Sequence, residues 1–221
     1  MKVLQILPSL SPSWGGPVSV VSGLTGALTQ QGIQCSVVST FGLTGDKPAP
    51  PPGMSAALFP TDVFGWLWIG HAPGLASAVR REISNCDLVH IHELWHYPHW
   101  VATRIAWARG VPFIISPHGE LSAWGLRQKA WAKRIYGAAL LRPSLRRAHT
   151  LHALSEAEAR QIRDYGVDAR VVVVPNGVPP KILKTTRDKR AVRASFPQLR
   201  GKQVVLFLGR LHTQKGPDVM I

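Results

Sequence analysis

Two rhythms of apolar residues alternate along this 221-residue chain. Short, β-branched runs predict strands over 2–7, 33–40, 56–59, 88–92, 112–116, 150–154 and 171–174. Between them, apolar positions recur every three or four residues and predict helices over 17–31, 74–83, 100–109, 126–141 and 155–165. Strands alternating with helices at this spacing imply parallel βαβ units joined by right-handed crossovers. Some boundaries carry chemical punctuation. Ser155 precedes Glu158 by three residues, the spacing of a capping box. Gly166 stands where that helix can end in the left-handed conformation.

The pattern changes near residue 178. The segment 178–199 is polar, basic and proline-containing, and an apolar strand is predicted over 202–208, with a helix beginning at 217. The fold class is α/β with a Rossmann-like parallel sheet. Residues 1–178 form the N-terminal domain, 179–201 a linker, and 202–221 the first strand and loop of a second domain. A helix of five residues cannot hold itself together, so the polypeptide is expected to be truncated there. No run approaches the ~20 apolar residues that span a bilayer. The opening run is interrupted by Gln5 and Pro8 and reads as a buried strand, not a signal peptide. With only Cys35 and Cys86, a disulfide framework is not expected, and a cytoplasmic location fits.

Charge adds a second theme. Lysine and arginine number 26 against 12 acidic residues, a net charge of +14. Between 121 and 150 stand Arg127, Lys129, Lys133, Arg134, Arg142, Arg146 and Arg147, with no acid. Such a field attracts anionic lipid, phosphorylated substrates or nucleic acid. No nucleic-acid motif accompanies it, so nucleic acid is not expected as a partner. The helix 126–141 is either a core-packing helix with a basic outer face or an amphipathic face for the inner surface of a membrane.

Four constellations carry candidate chemistry. Gly15-Gly16-Pro17 follows the first strand and opens a helix, which is either a tight turn or an anion site built on a helix N-terminus. His118, in Ser116-Pro117-His118-Gly119, follows another strand. In an open parallel sheet both groups reach the edge where ligands bind, and a histidine there can hydrogen-bond a sugar hydroxyl or cap the next helix. Arg210 and Lys215 follow the predicted strand 202–208 and can converge on a diphosphate, or form a basic surface loop. Lastly, His90, His92, His96 and His99 cluster near Trp95, Tyr97 and Trp100. The cluster lacks a cysteine ligand, and no metal site is predicted from it. A packed corner or a sugar-stacking surface is the preferred reading.

Taken in order, these residues resemble family 4 of the retaining glycosyltransferases, of the GT-B fold. The resemblance rests on Ile6-Leu7-Pro8 with Gly15-Gly16, Leu88-Val89-His90-Ile91-His92, Ser116-Pro117-His118-Gly119, Ala153-Leu154-Ser155-Glu156, Val174-Pro175-Asn176-Gly177-Val178, and Gly209-Arg210 through Lys215-Gly216. It covers almost the whole chain. It implies two Rossmann-like domains, a nucleotide-diphospho-sugar as co-substrate with no other cofactor, and a saccharide or lipid-linked acceptor, in surface polysaccharide synthesis. Gly15 and Gly16 match the family's glycine loop, His118 the histidine near the transferred sugar, and Arg210 and Lys215 the pair that holds the donor diphosphate in place of a metal. His92 and Trp95 fall on the acceptor side.

Two departures stand out. Glu93 follows His92 where the family leads one to expect a small residue such as glycine. The acidic residues of the family's second domain lie beyond Ile221, so these 221 residues are expected to be inactive alone. No paired carboxylates at glycosidase spacing are evident, which disfavours ordinary hydrolysis. The competing readings are a non-catalytic basic module that binds anionic lipid or a polyanion, and a metal-dependent hydrolase using His90, His92 and His96.

Overall fold

The computed structural model describes residues 1–42, 48, 50, 55–62, 64, 68–178, 182, 188–209, 211 and 215–219. They divide into two compact units, Met1–Gly177 and Val178–Ile221. The first unit holds one seven-stranded sheet. Its strands are β1 (Lys2–Leu7), β2 (Gln34–Phe41), β3 (Ser55–Pro60), β4 (Leu88–His92), β5 (Phe113–Ser116), β6 (Thr150–Ala153) and β7 (Val171–Val173). The order across the sheet is β3-β2-β1-β4-β5-β6-β7, and every pair is parallel. The order reverses between β1 and β4, which opens a crevice at the C-terminal ends of those strands.

The central strands are apolar because both faces are covered. Leu4 and Ile6 of β1, Ile91 of β4 and Ile115 of β5 join the main core with Leu75 and Val79 of α2 (Leu75–Ile83) and Val101 and Ala102 of α3 (Tyr97–Ala108). Leu7 and Val37 meet Val18 and Val21 of α1 (Gly16–Gln30) in a second cluster. Ile91 is fully buried and pairs with Ile6 and Ile115. Ile91→Ala is expected to destabilise the unit by about 2–5 kcal/mol through the cavity it leaves, readable as a fall in the urea midpoint.

The structure departs from the predicted elements in three places. The helix expected over 126–141 is broken into α4 (Ala123–Arg127), α5 (Ala130–Tyr136), a π-helical turn at Gly137–Leu141 and α6 (Arg142–Arg147). Lys129 adopts φ 50, a left-handed conformation that ends one helix before the next begins. α3 starts at Tyr97, earlier than the apolar pattern indicated, because Pro98 fits its first turn. Residues 202–208 form no strand, and Val205, Leu206 and Leu208 are exposed. A strand needs a paired neighbour and a covered face, and the described residues of this unit supply neither.

The remaining helix of the first unit, α7 (Glu156–Asp164), shows half of the expected capping box. Ser155 Oγ accepts from the Glu158 N–H at 3.2 Å. Glu158 does not reach back to Ser155. Its buried carboxylate accepts from Leu154 N–H at 2.7 Å and from Gly119 N–H at 2.6 Å. In the second unit a helix at Lys189–Ser195 is capped by Asp188, which accepts from the N–H groups of Arg190 and Ala191.

Candidate active site

Because all strands run parallel, their following loops gather at one edge. After β1 the chain makes a turn of 3-10 helix, Pro12–Trp14, and enters α1 through Gly15. Gly15 has φ 99, open to glycine and strained for other residues. No side chain caps α1 among the described residues. Gly15 N–H and Val18 N–H donate to the Pro12 and Gly15 carbonyls and Pro17 has no N–H, so the turn presents the Gly16 N–H on an exposed residue. Across the crevice, Glu93 follows β4. Trp14 Nε1 donates to Glu93 Oε2 at 2.8 Å, which ties the glycine turn to the β4 side.

Glu93 and His118 both lie in the left-handed region, at φ 65 and φ 53. For non-glycine residues this costs on the order of 1 kcal/mol each. The sharp reversals are held from outside. Glu93 N–H donates to the carbonyl of Ser116 at 2.9 Å, and Gly119 N–H donates to Glu158. The second grip aims the His118 ring back over β4.

There His118 Nε2 meets His92 Nδ1 at 2.9 Å, and His92 Nε2 meets Gln5 Oε1 at 2.8 Å. With Gln5 Oε1 accepting, His92 carries its proton on Nε2, its Nδ1 accepts, and His118 Nε2–H donates. That leaves His118 Nδ1 as an acceptor. Burial holds His118 down to about 4, with the His152 charge in the same direction and Glu120 opposing. Burial pushes His92 well below the ordinary imidazole range, and it pushes His90 down to about 3. At neutral pH these rings are uncharged. They bind and orient, and they are weak bases.

A second polar string crosses the same face of the sheet. His90 Nε2 meets Ser116 Oγ at 2.7 Å, Ser116 Oγ meets His152 Nδ1 at 2.7 Å, and His152 Nε2 donates to the Val174 carbonyl at 2.8 Å. His99 is engaged elsewhere, by the Glu93 carbonyl and Ser144 Oγ. The histidines therefore do not converge on one point. The metal-hydrolase set of His90, His92 and His96 is split, because His92 spends both ring nitrogens and His90 its Nε2 on protein partners.

His96 stands in a different group, which the sequence did not disclose. Its Nε2 lies 3.6 Å from Glu120 Oε1 and 4.0 Å from Glu93 Oε2. The two carboxylates thus stand on either side of one imidazole. Burial, followed by the neighbouring Glu120 charge, raises Glu93 to about 7. His96 is raised as well, since its contacts with Glu120 and Glu93 outweigh desolvation.

Of the residues expected at the site, Gly15, Gly16 and His118 share the crevice edge. His92 lies beneath it, 1% exposed, and reaches the edge through His118. Trp95 packs against Tyr136 under the ammonium of Lys133, 4.8 Å from its ring centre. Lys215 is exposed in the second unit, and Arg210 lies outside the described residues. A cavity of about 840 Å³ opens among Leu121, Leu126, Lys133, Arg134, Arg142 and Tyr165. Beside it on α5, Trp131 and Ile135 are exposed. No helix among the described residues is long and apolar enough to cross a membrane.

Comparison with known proteins agrees with this architecture. The model of glycosyltransferase family 4 matches residues 14–181. The D-inositol 3-phosphate glycosyltransferase of Kineococcus radiotolerans is 29% identical over 174 residues, which are 72% of this chain and 37% of that protein. The enzyme of the same name from Nocardiopsis dassonvillei is 31% identical over 156 residues, 66% of this chain and 34% of its own. The chain therefore spans little more than a third of these relatives. Among solved structures, it is similar to Anabaena HepE, crystallised with UDP-glucose, at a TM-score of 0.61 and 19% identity, covering 90% of this chain and 50% of that one. It is also similar to sucrose-phosphate synthase from Thermosynechococcus elongatus, at 0.62 and 15%, covering 87% and 52%. The sheet is that of the N-terminal domain of a GT-B fold.

Proposed function

This chain belongs to glycosyltransferase family 4, and from that premise we propose that it is the acceptor-side part of a retaining sugar transferase. The reading is carried by one observation: His118 and the Gly15-Gly16 turn share the C-terminal edge of the sheet beside the β1/β4 reversal. A nucleotide-diphospho-sugar is the donor. Arg210 and Lys215 bind its diphosphate, one as a planar fork and the other as a point charge. Gly15 and Gly16 face a donor phosphate, with the Gly16 N–H at the start of α1 as the hydrogen-bond donor.

In the proposed reaction the bond from the anomeric carbon to the β-phosphate oxygen breaks. The acceptor hydroxyl forms its new bond from the same face, and its proton passes to the departing phosphate. Positive groups aimed at that phosphate lower the barrier without a metal. An uncharged His118 is a poor base, so its part is to hold a sugar hydroxyl through Nδ1 while His92 and Gln5 fix the ring. The acceptor is a saccharide or lipid-linked, in surface polysaccharide synthesis in the cytoplasm. Exposed Trp131 and Ile135 among Arg127, Lys129 and Arg134 support contact with an anionic membrane.

The test offers radiolabelled nucleotide-diphospho-sugars, with saccharide and lipid acceptors, to the protein expressed from its full reading frame. Transfer with the donor's anomeric configuration kept in the product is the expected outcome. Inversion, or no transfer from any donor, would overturn the proposal.

A further inference from the structure

We propose that Glu93, His96 and Glu120 form a binding site for a divalent metal ion of the Zn2+ class. One ligand atom from each lies within 4.8 Å of the others. The separations of 3.6 and 4.0 Å from His96 Nε2 to the two carboxylates are too long for hydrogen bonds. They stand a few tenths of an ångström wider than the roughly 3.4 Å between two ligands of a tetrahedral ion with bonds of about 2.1 Å, a gap that small side-chain rotations close. His96 is 6% exposed, its Nε2 faces the two acids, and its Nδ1 has no hydrogen-bond partner among the described residues. It is a buried imidazole aimed between two acids.

The carboxylates are held in place for this. Trp14 Nε1 donates to Glu93 Oε2. Leu94 N–H donates to Glu120 Oε2 at 2.5 Å, which leaves Oε1 toward His96. Such outer contacts orient metal ligands. Charge balance points the same way. Among the described residues no lysine or arginine comes within 4.0 Å of either carboxylate, in a chain that carries 26 of them. The neighbouring Lys133 donates to the Gly125 carbonyl at 2.7 Å and lies over Trp95. A divalent ion bound by a neutral imidazole would offset both carboxylates, one buried and one half-buried. Imidazole beside carboxylate selects a zinc-like ion over Mg2+ or Ca2+. Three protein ligands leave a fourth position for water. The ion would fasten the loops after β4 and β5 to each other and, through Trp14, to the glycine turn.

This inference is independent of the sugar-transfer reading, because binding alone tests it. The full chain, stripped with a chelator, is titrated with Zn2+ by calorimetry, with excess Mg2+ present. One site per chain is expected, and Glu120→Gln combined with His96→Gln is expected to weaken it more than roughly tenfold. Absence of a stoichiometric site, or a site indifferent to both substitutions, overturns the proposal. Should the double variant fail to fold, Mn2+ is added to the native chain instead. Selective broadening of the His96 ring protons in the NMR spectrum supports the site, and unaltered His96 signals refute it.

Discussion

Replacing His118 with alanine is expected to cut sugar transfer about a hundredfold or more while leaving the fold intact. The ring stands at the crevice edge with one nitrogen committed to His92 and the other free to accept. Alanine deletes that acceptor and the last link of a relay that begins at Gln5. The backbone conformation at φ 53 is as strained for alanine as for histidine, so the only stability loss expected is about 1–3 kcal/mol for leaving the buried His92 Nδ1 without its donor. The measurement pairs turnover of the full-reading-frame protein with its thermal unfolding. The effect should fall mainly on kcat, because the ring orients the reacting sugar and the diphosphate is held elsewhere. A variant that retains turnover within a few-fold of the parent would remove His118 from the mechanism.

The second large effect is acid instability. His90, His99 and His118 are held by burial at about 3, 4 and 4, and His92 is lowered too. In the unfolded chain each titrates near 6.5. A histidine with a depressed folded pKa stabilises the fold fully above its unfolded value. That stability drains as pH falls from about 6.5 toward the folded value, because only the unfolded state takes up the proton. At pH 5 each of the three with a stated value has lost on the order of 2 kcal/mol. Glu93 and His96 act in the opposite sense, since both are raised and bind protons more readily when folded. Glu93 returns roughly 2 kcal/mol over the same interval. The histidines prevail, and the thermal midpoint should drop by about 10 °C between pH 7 and pH 5, measured with a chelator present. A midpoint that stays level would show that folding does not weaken proton binding by these rings.

The sheet was legible because its strands are short apolar runs, buried on both faces, with Gly or Pro near their ends. β4 is the clearest case: Leu88–His92 has the limits that its apolar run indicates. The stretch 126–141 was illegible for the opposite reason. Every residue in it favours a helix or tolerates one, and nothing local announces that Lys129 turns left-handed or that Gly137 begins a π-helical turn. Gly15, Gly16 and His118 could be placed at one edge from topology alone, since parallel strands send all their exits the same way. The roles of Glu120 and Glu158 could not. Each acts on a residue 26 or 39 positions earlier in the chain, and no local pattern encodes such a distance. His92 and His90 looked alike in sequence. Their partners, Gln5 in one case and Ser116 in the other, became apparent only when the strands were set in register.

Glu158 carries a lesson for engineering. One carboxylate on α7 grips both the amide after His118 and the amide at the end of the β6 exit. The loop that presents His118 is therefore not a portable cassette. Grafted alone onto a foreign sheet, it would lose the anion that holds its reversed backbone. A working transplant must bring the strand-and-helix junction around Ser155 along with it.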